Sequence, residues 1–186
     1  MSIRPEHPTP GSSDAAGAAA FSISRGTSEL IPPSVQLWLD ALTHRDGHAP
    51  SLGMAARIAG KFDRPTVRFA VARFGEQLAG FSLTTVLPPL PGTTRIAYLE
   101  LLAVDPRRSS LGLGRALLDD AVATARTHGY THLELDVREG NDRALRLYES
   151  IGMTVKGPPE PHPLGGLPMV PLVLALRPDA ARRAQP

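Results

Sequence analysis

In "YLELLAVDPRRSSLGLGRALL", residues 98–118, one hydrophobic period gives way to another. Up to Val104 the run is almost continuously apolar, as expected of a central strand covered on both faces. From residue 113 onward Gly114, Leu117, Leu118, Ala121 and Ala125 fall on one helical stripe, with Arg115, Asp119 and Arg126 off it. Gly129 closes that helix, with His128 in its last turn. Two glycines, Gly112 and Gly114, therefore stand where loop becomes helix. A helix N-terminus presents unpaired N–H groups and a partial positive charge, so it can hold phosphate without any basic side chain. Glycine there lets the backbone approach an anion closely and adopt positive φ. On the glycines alone, a plain turn with close helix packing explains them equally well.

Two nucleotide-binding loops do not fit. A P-loop needs Gly-Lys-Ser/Thr at the helix start, and Gly114 is followed by Arg115-Ala116. A dinucleotide loop needs Gly-x-Gly-x-x-Gly directly after the strand; here the third position is Leu117, and "DPRRSSL" separates the glycines from Val104.

Working outward, "FSISR" (21–25) reads as a short strand and residues 34–47 as a helix behind Pro32-Pro33, stopped by Gly47. Residues 52–62 read as a second, short helix. Residues 66–87 alternate about a turn at Gly75-Glu76-Gln77, a hairpin signal, and "PPLPG" (88–92) breaks into loop. Beyond the central strand at 96–104 and the helix at 113–128, "HLELDV" (132–137) is a period-two strand. Residues 141–152 form a helix with Asn141 as N-cap and Gly152 at its end, and 167–176 supply a last strand. The order β-α-α-β-β-β-α-β-α-β means mixed α/β (α+β). Residues 1–19 and 178–186 read as flexible tails around one domain, 20–177.

Composition narrows the chemistry. The 186 residues contain no cysteine, which removes disulfides, thiolate metal sites and a cysteine nucleophile. Net charge is only +2 with 20% charged residues, and no Lys/Arg block is long enough to suggest nucleic acid as a partner. The opening residues lack a leader pattern, and "MVPLVLAL" is far shorter than the ~20 residues needed to span a bilayer, so no membrane partner and a cytoplasmic setting are expected.

The 98–118 stretch together with "LELDVREGNDRALRLYESIGM" (133–153) resembles the GNAT superfamily of acetyl-CoA-dependent N-acetyltransferases. The first segment is similar to that family's acyl-CoA motif, a strand ending in V-D-P and then Arg/Gln-x-x-Gly-x-Gly/Ala opening a helix. The second resembles its Asn-x-x-Ala-x-x-x-Tyr-Glu-x-x-Gly helix, matched by Asn141, Ala144, Tyr148, Glu149 and Gly152. The resemblance implies a mixed central β-sheet flanked by helices. It also implies acetyl-CoA as acyl donor without a metal, a primary amine of unknown identity as acceptor, and possible dimers. It places the pyrophosphate on the backbone of Ser109, Ser110, Leu111, Gly112, Leu113, Gly114 and Arg115, and the pantetheine arm on the main chain of Leu102, Ala103 and Val104. Asn141, Ala144 and Tyr148 would complete the cofactor site, although capping its own helix explains Asn141 as well. Ser109 stands where the family usually has Arg or Gln; the backbone donors survive that change, and Arg107, Arg108 or Arg115 could supply charge.

Acyl transfer to an amine needs a base, stabilisation of the oxyanion and a proton for the departing thiolate. Strand alternation puts Glu100 on the face of Tyr98, Leu102 and Val104, and the resemblance makes it the base, with Glu134 and Asp136 in reserve. The competing reading is a structural carboxylate paired with Arg68 or Arg138. Tyr148 matches the acid that protonates the leaving sulfur, though it shares a stripe with Ala144 and Ile151 and could be core. With no cysteine a covalent Cys acyl-enzyme cannot form, which agrees with direct attack in a ternary complex. The rival function is a regulatory domain that binds acyl-CoA without catalysis. His44 and His48 stand four apart but lack an acidic partner for a metal, and residues 26–62 and 156–170, His162 among them, are expected to shape the acceptor cleft.

Overall fold

The structure is a computed structural model and describes residues 21–88, 95–162 and 166–176. The expected tails at 1–19 and 178–186, and residues 89–92 of the proline-rich loop, lie outside the described residues. In chain order the elements are β1 (Ser22–Arg25), α1 (Ile31–Asp46), α2 (Met54–Ala59), β2 (Thr66–Phe74), β3 (Gln77–Val86), β4 (Ile96–Val104), α3 (Leu113–Thr127), β5 (His132–Arg138), α4 (Asp142–Glu149), β6 (Thr154–Val155) and β7 (Met169–Ala175). Short 3-10 turns occupy Ser28–Leu30, Gly60–Asp63 and Pro106–Arg108. The strands form one sheet in the order β1-β2-β3-β4-β5-β7-β6, with β4 and β5 parallel and all other neighbours antiparallel.

Helices cover both faces. Leu113, Leu117, Leu118, Ala121 and Ala125 of α3 are fully buried, so the stripe read from the sequence is the face laid on the sheet. Leu118 meets Leu133, Leu135 and Val137 of β5 and Tyr148 of α4, while Leu113 and Leu117 meet Ala70, Ala72 and Ala79 of the first hairpin. On the other face α1 and α2 cover Phe69, Phe81, Leu83, Leu101 and Ala103. Arg68 of β2 ties α3 to the sheet through two bonds to Asp120, at 2.8 and 2.9 Å.

Several elements differ from expectation: α4 ends at Glu149 and β7 begins at Met169, inside the expected 141–152 and 167–176. Pro32 and Pro33 lie inside the first turn of α1, where a missing N–H costs nothing, so the helix begins at Ile31. The helix expected over 52–62 is α only across Met54–Ala59 and then tightens into a 3-10 turn. The two-residue β6 was not foreseen, because two residues carry no measurable alternation.

The middle of β4 departs from regular alternation. Leu101 pairs with Leu83 and Leu99 with Thr84, so Glu100 has no opposite residue and forms a bulge. Ala97 and Leu99 pack on the α3 side, but Leu101 and Ala103 pack on the α1 side. Leu102 and Val104 accordingly face α3. Glu100 therefore shares a face with Tyr98 but not with Leu102 and Val104. The extra residue flips the register that simple alternation assumed.

Candidate active site

Two inner strand edges part company at the centre of the sheet. β4 and β5 pair at Ile96–His132, Ala97–Leu133 and Tyr98–Glu134, and no further pair follows among the described residues. On their outer sides both strands remain fully engaged, β4 with β3 as far as Val104 and β5 with β7 as far as Arg138. Residues 99–104 and 135–138 thus face each other across a split lined by backbone N–H and C=O groups. Buried groups of that kind require partners. An extended chain carrying its own amides would supply them on both sides, in the manner of an added strand.

At the end of the split the chain turns into α3. Gly112 is the N-cap, at φ 77° and ψ 3°, and no side chain caps the helix. The first helical hydrogen bond runs from Ala116 N to Gly112 O, at 3.0 Å, so the amides of Leu113, Gly114 and Arg115 point outward without intrahelical acceptors. A Cβ on Gly112 would meet nothing within 4 Å; the residue is needed for its left-handed backbone, not for room. A Cβ on Gly114 would lie 3.4 Å from Leu147, an ordinary contact, so close packing is not what requires that glycine.

The loop before the helix is braced from three sides. Asp105, which is buried, accepts from the backbone N and guanidinium of Arg107, at 3.0 Å each, and its own amide donates to Ala79 O at 2.8 Å. These bonds from Arg107 hold the Asp105 carboxyl below its ordinary range despite burial. Arg108 donates to Gln77 at 2.6 Å and lies over the Phe74 ring, and Arg115 pairs with Asp119 at 3.0 Å. Arg143 of α4 donates to the Ser109 carbonyl at 2.6 Å, clamping the loop from the far side. The three arginines considered as charge donors are thus each held by an acidic or amide side chain, and Arg143 is one the sequence reading did not single out.

Glu100 has a side chain only 1% exposed, yet neither Arg68 nor Arg138 reaches it. Its partners are Lys61, whose Nζ lies 2.6 Å from Oε2, and Arg64 and Thr85, both donating to Oε1. The turn Gly60–Asp63 is thereby pinned to the bulge. Arg138 instead holds Asp46 at the end of α1, with its Nη2 2.6 Å from Oδ1. Bonds from Arg45 and then Arg138 carry the Asp46 carboxyl down to about 2.

The reserve acids are also engaged. Lys156 Nζ donates to both oxygens of Glu134, at 2.8 and 2.7 Å. The Tyr98 hydroxyl donates to Asp136 at 2.7 Å. Burial, followed by that carboxylate, holds the Tyr98 phenol far above its ordinary range. Tyr148 is buried among Leu135, Val137 and Met153, and burial alone pushes its phenol up to about 12. No hydrogen bond to its hydroxyl is found among the described residues. Asn141 Oδ1 accepts from Ala144 N at 3.4 Å, the capping role that competed with cofactor contact.

Among the described residues no three metal-ligating side chains gather around His44 and His48 or elsewhere. His44 instead lines a cleft of about 670 Å3 with Gln36, Asp40, Gln77, Asp105 and Arg107, beside the loop but on its α1 side. His162 is half-buried. No described helix is long and apolar enough to cross a membrane.

The family model described as Acetyltransferase (GNAT) family matches residues 35–153. This chain belongs to the GNAT acetyltransferases. The match runs from within α1 to Met153, just before β6, and so contains the split, the glycine loop and the bulge. The GNAT chain is 39% identical over 87 residues to a mycothiol acetyltransferase of Geodermatophilus obscurus, covering 46% of this chain and 28% of that protein. It is 38% identical over 77 residues to the ribosomal protein bS18-alanine N-acetyltransferase of Salmonella typhimurium, covering 41% and 48% respectively. It therefore spans less than half the length of either relative. In fold it matches the crystal structure of the ribosomal-protein-S18-alanine N-acetyltransferase from Escherichia coli, with a TM-score of 0.68 at 24% identity over 84% of this chain and 94% of that one. It also matches YncA of Salmonella typhimurium, solved with its cofactor acetyl-CoA, with a TM-score of 0.67 at 21% identity over 87% and 99%.

Lys61, Arg64, Arg143 and Lys156 are the site-lining residues that sequence reasoning missed. A signal for two of them was present, because the chain's 20 basic residues include just two lysines. Those two lysines meet the two glutamates named as candidate bases.

Proposed function

We propose that this chain transfers an acetyl group from acetyl-CoA to a primary amine of a small molecule, peptide or protein by direct attack in a ternary complex. The observation that carries the reading is the split between β4 and β5, with the uncapped N-terminus of α3 at its end. Residues 99–104 and 135–138 would receive the amide-bearing pantetheine arm as an added strand, and the amides at 112–115, with the loop from Ser109 to Leu111, would receive the pyrophosphate. The bound donor contributes an activated thioester; the chain orients it and handles protons. The Tyr148 hydroxyl, protonated across the physiological range, is suited to donate to sulfur as it departs. Glu100 is assigned as base, with Glu134 and Asp136 in reserve. Lys61 must leave Oε2 before that oxygen can take a proton from an added amine. The relative named as a ribosomal protein bS18-alanine N-acetyltransferase supports an amine acceptor, and it does not fix which one this chain uses. A donor of this kind and the absence of a membrane-spanning helix among the described residues favour a cytoplasmic setting.

One observation favours a second reading, an acyl-CoA-binding regulatory domain. Each candidate base is already engaged, Glu100 by Lys61 and Arg64, Glu134 by Lys156 and Asp136 by Tyr98. A thiol-release assay with acetyl-CoA across amine classes, with mass spectrometry of the product, separates the two. Thiol release with an acetylated amine supports transfer. Binding of acetyl-CoA without thiol release from any amine supports the regulatory reading instead.

A further inference from the structure

The geometry points to Lys61 as an internal acetyl acceptor, a self-modification site at the mouth of the β4–β5 split. This inference rests on the transferase reading above. Lys61 Nζ is 2.6 Å from Oε2 of Glu100, and Glu100 is the bulge residue two positions beyond Tyr98, where β4 has left β5. A primary amine thus already stands against the carboxylate assigned as base, a carboxylate whose backbone lies in the unpaired part of β4 along which the thioester of an added strand would run. The side chain of Lys61 is 27% exposed against 1% for Glu100, so the amine is the reachable member of the pair. The chemistry of the neighbourhood singles it out further. Arg64 also binds Glu100, but a guanidinium stays protonated and does not acylate. Lys156, the other lysine, is held by both oxygens of Glu134, which belongs to the last closed pair of the two strands and not to the opening.

The step balances. The Lys61 ammonium releases one proton to solvent through Glu100, and the nitrogen lone pair attacks the carbonyl carbon of the acyl thioester. The C–N bond forms as the C–S bond breaks, and the thiolate takes the second proton shed by nitrogen. The products are N-acetyl-lysine and free thiol. No oxidant or further reactant is required. Acetylation removes the charge that Lys61 presents to Glu100 and leaves that carboxylate to Arg64 and Thr85 alone.

The test incubates the full chain with acetyl-CoA and no added amine, and follows acetyl groups by peptide mass spectrometry. Binding of acetyl-CoA is measured by calorimetry, and thiol release with added amines is measured in parallel. Lys61 should acquire an acetyl group with a rate constant unchanged by diluting the protein. That rate should exceed the rate at Lys156 and in the urea-unfolded chain by about tenfold or more, the mark of a positioned intramolecular amine. Lys61→Arg should lose the modification, because a guanidinium stays protonated and does not acylate. Thiol release from added amines with Lys61 left unmodified would overturn the inference and leave the transferase reading standing. Acetylation of Lys61 no faster than in the unfolded chain would overturn it as well. If acetyl-CoA neither binds nor releases thiol under any condition and Lys61 stays unmodified, both fall together.

Discussion

Tyr98 and Glu134 are the last residues at which β4 and β5 touch as strands, and the sheet is open beyond them. Everything assigned to the donor depends on that parting. Acetyl-CoA should therefore slow hydrogen exchange at the inward-facing amides of residues 99–104 and 135–138, and leave the β2–β3 hairpin unchanged. Exchange followed by mass spectrometry reads this directly, and equal protection with and without acetyl-CoA would remove the split from the binding site.

Gly112 holds a left-handed backbone with φ at 77°. Gly112→Ala forces a side chain into that region at roughly 1–2 kcal/mol. The strain falls on the helix opening, so acetyl-CoA affinity should drop by about tenfold, corresponding to roughly 1.4 kcal/mol. Gly114→Ala introduces only an ordinary contact with Leu147 and should weaken binding less. Calorimetry on the two variants checks the order.

The buried pair at the bulge should respond asymmetrically. Removing both cations with Lys61→Ala/Arg64→Ala strands a Glu100 carboxylate that is 1% exposed, which should cost about 3–5 kcal/mol. Glu100→Gln leaves behind cations that are 27% and 55% exposed and able to turn to water, so it should cost markedly less. Urea denaturation of the purified variants measures both.

Tyr148→Phe should lower kcat for amine acetylation with the acetyl-CoA dissociation constant unchanged. Among the described residues the hydroxyl has no hydrogen bond to lose, so thermal stability should hold or rise slightly. Unaltered kcat in a folded variant would return Tyr148 to the core.

Alkaline pH should destabilise the wild type more than that variant. Burial raises the Tyr148 phenol from 10.0 to about 12, so the folded state holds the proton more tightly than the unfolded chain does. The associated stability is complete below about pH 10 and is lost as pH rises through about 12. Denaturation midpoints measured across that window should diverge, with wild type falling increasingly below Tyr148→Phe toward its upper end.

Sequence carried the architecture far because β4 and α3 announce themselves by period, and the α3 stripe is the face that packs. Alternation misled at Glu100, since a bulge is a property of pairing with β3 and leaves no trace in the order of residues within β4. The partners of Glu100 were equally hidden. Lys61 lies 39 residues earlier in a short turn, and only the docking of that turn on the sheet brings it to the carboxylate. Arg68 and Arg138 looked suitable by type, yet each is claimed by a nearer aspartate, Asp120 and Asp46.

An open seam inside a sheet also bears on how long the molecule survives. A thread that fills it binds the folded form alone, so folding free energy rises with ligand concentration, by about 2.7 kcal/mol at a hundredfold excess over the dissociation constant. Abundance of this protein in a cell would then rise with the supply of its acyl donor, because an unfilled seam leaves a larger fraction of molecules unfolded and open to proteolysis.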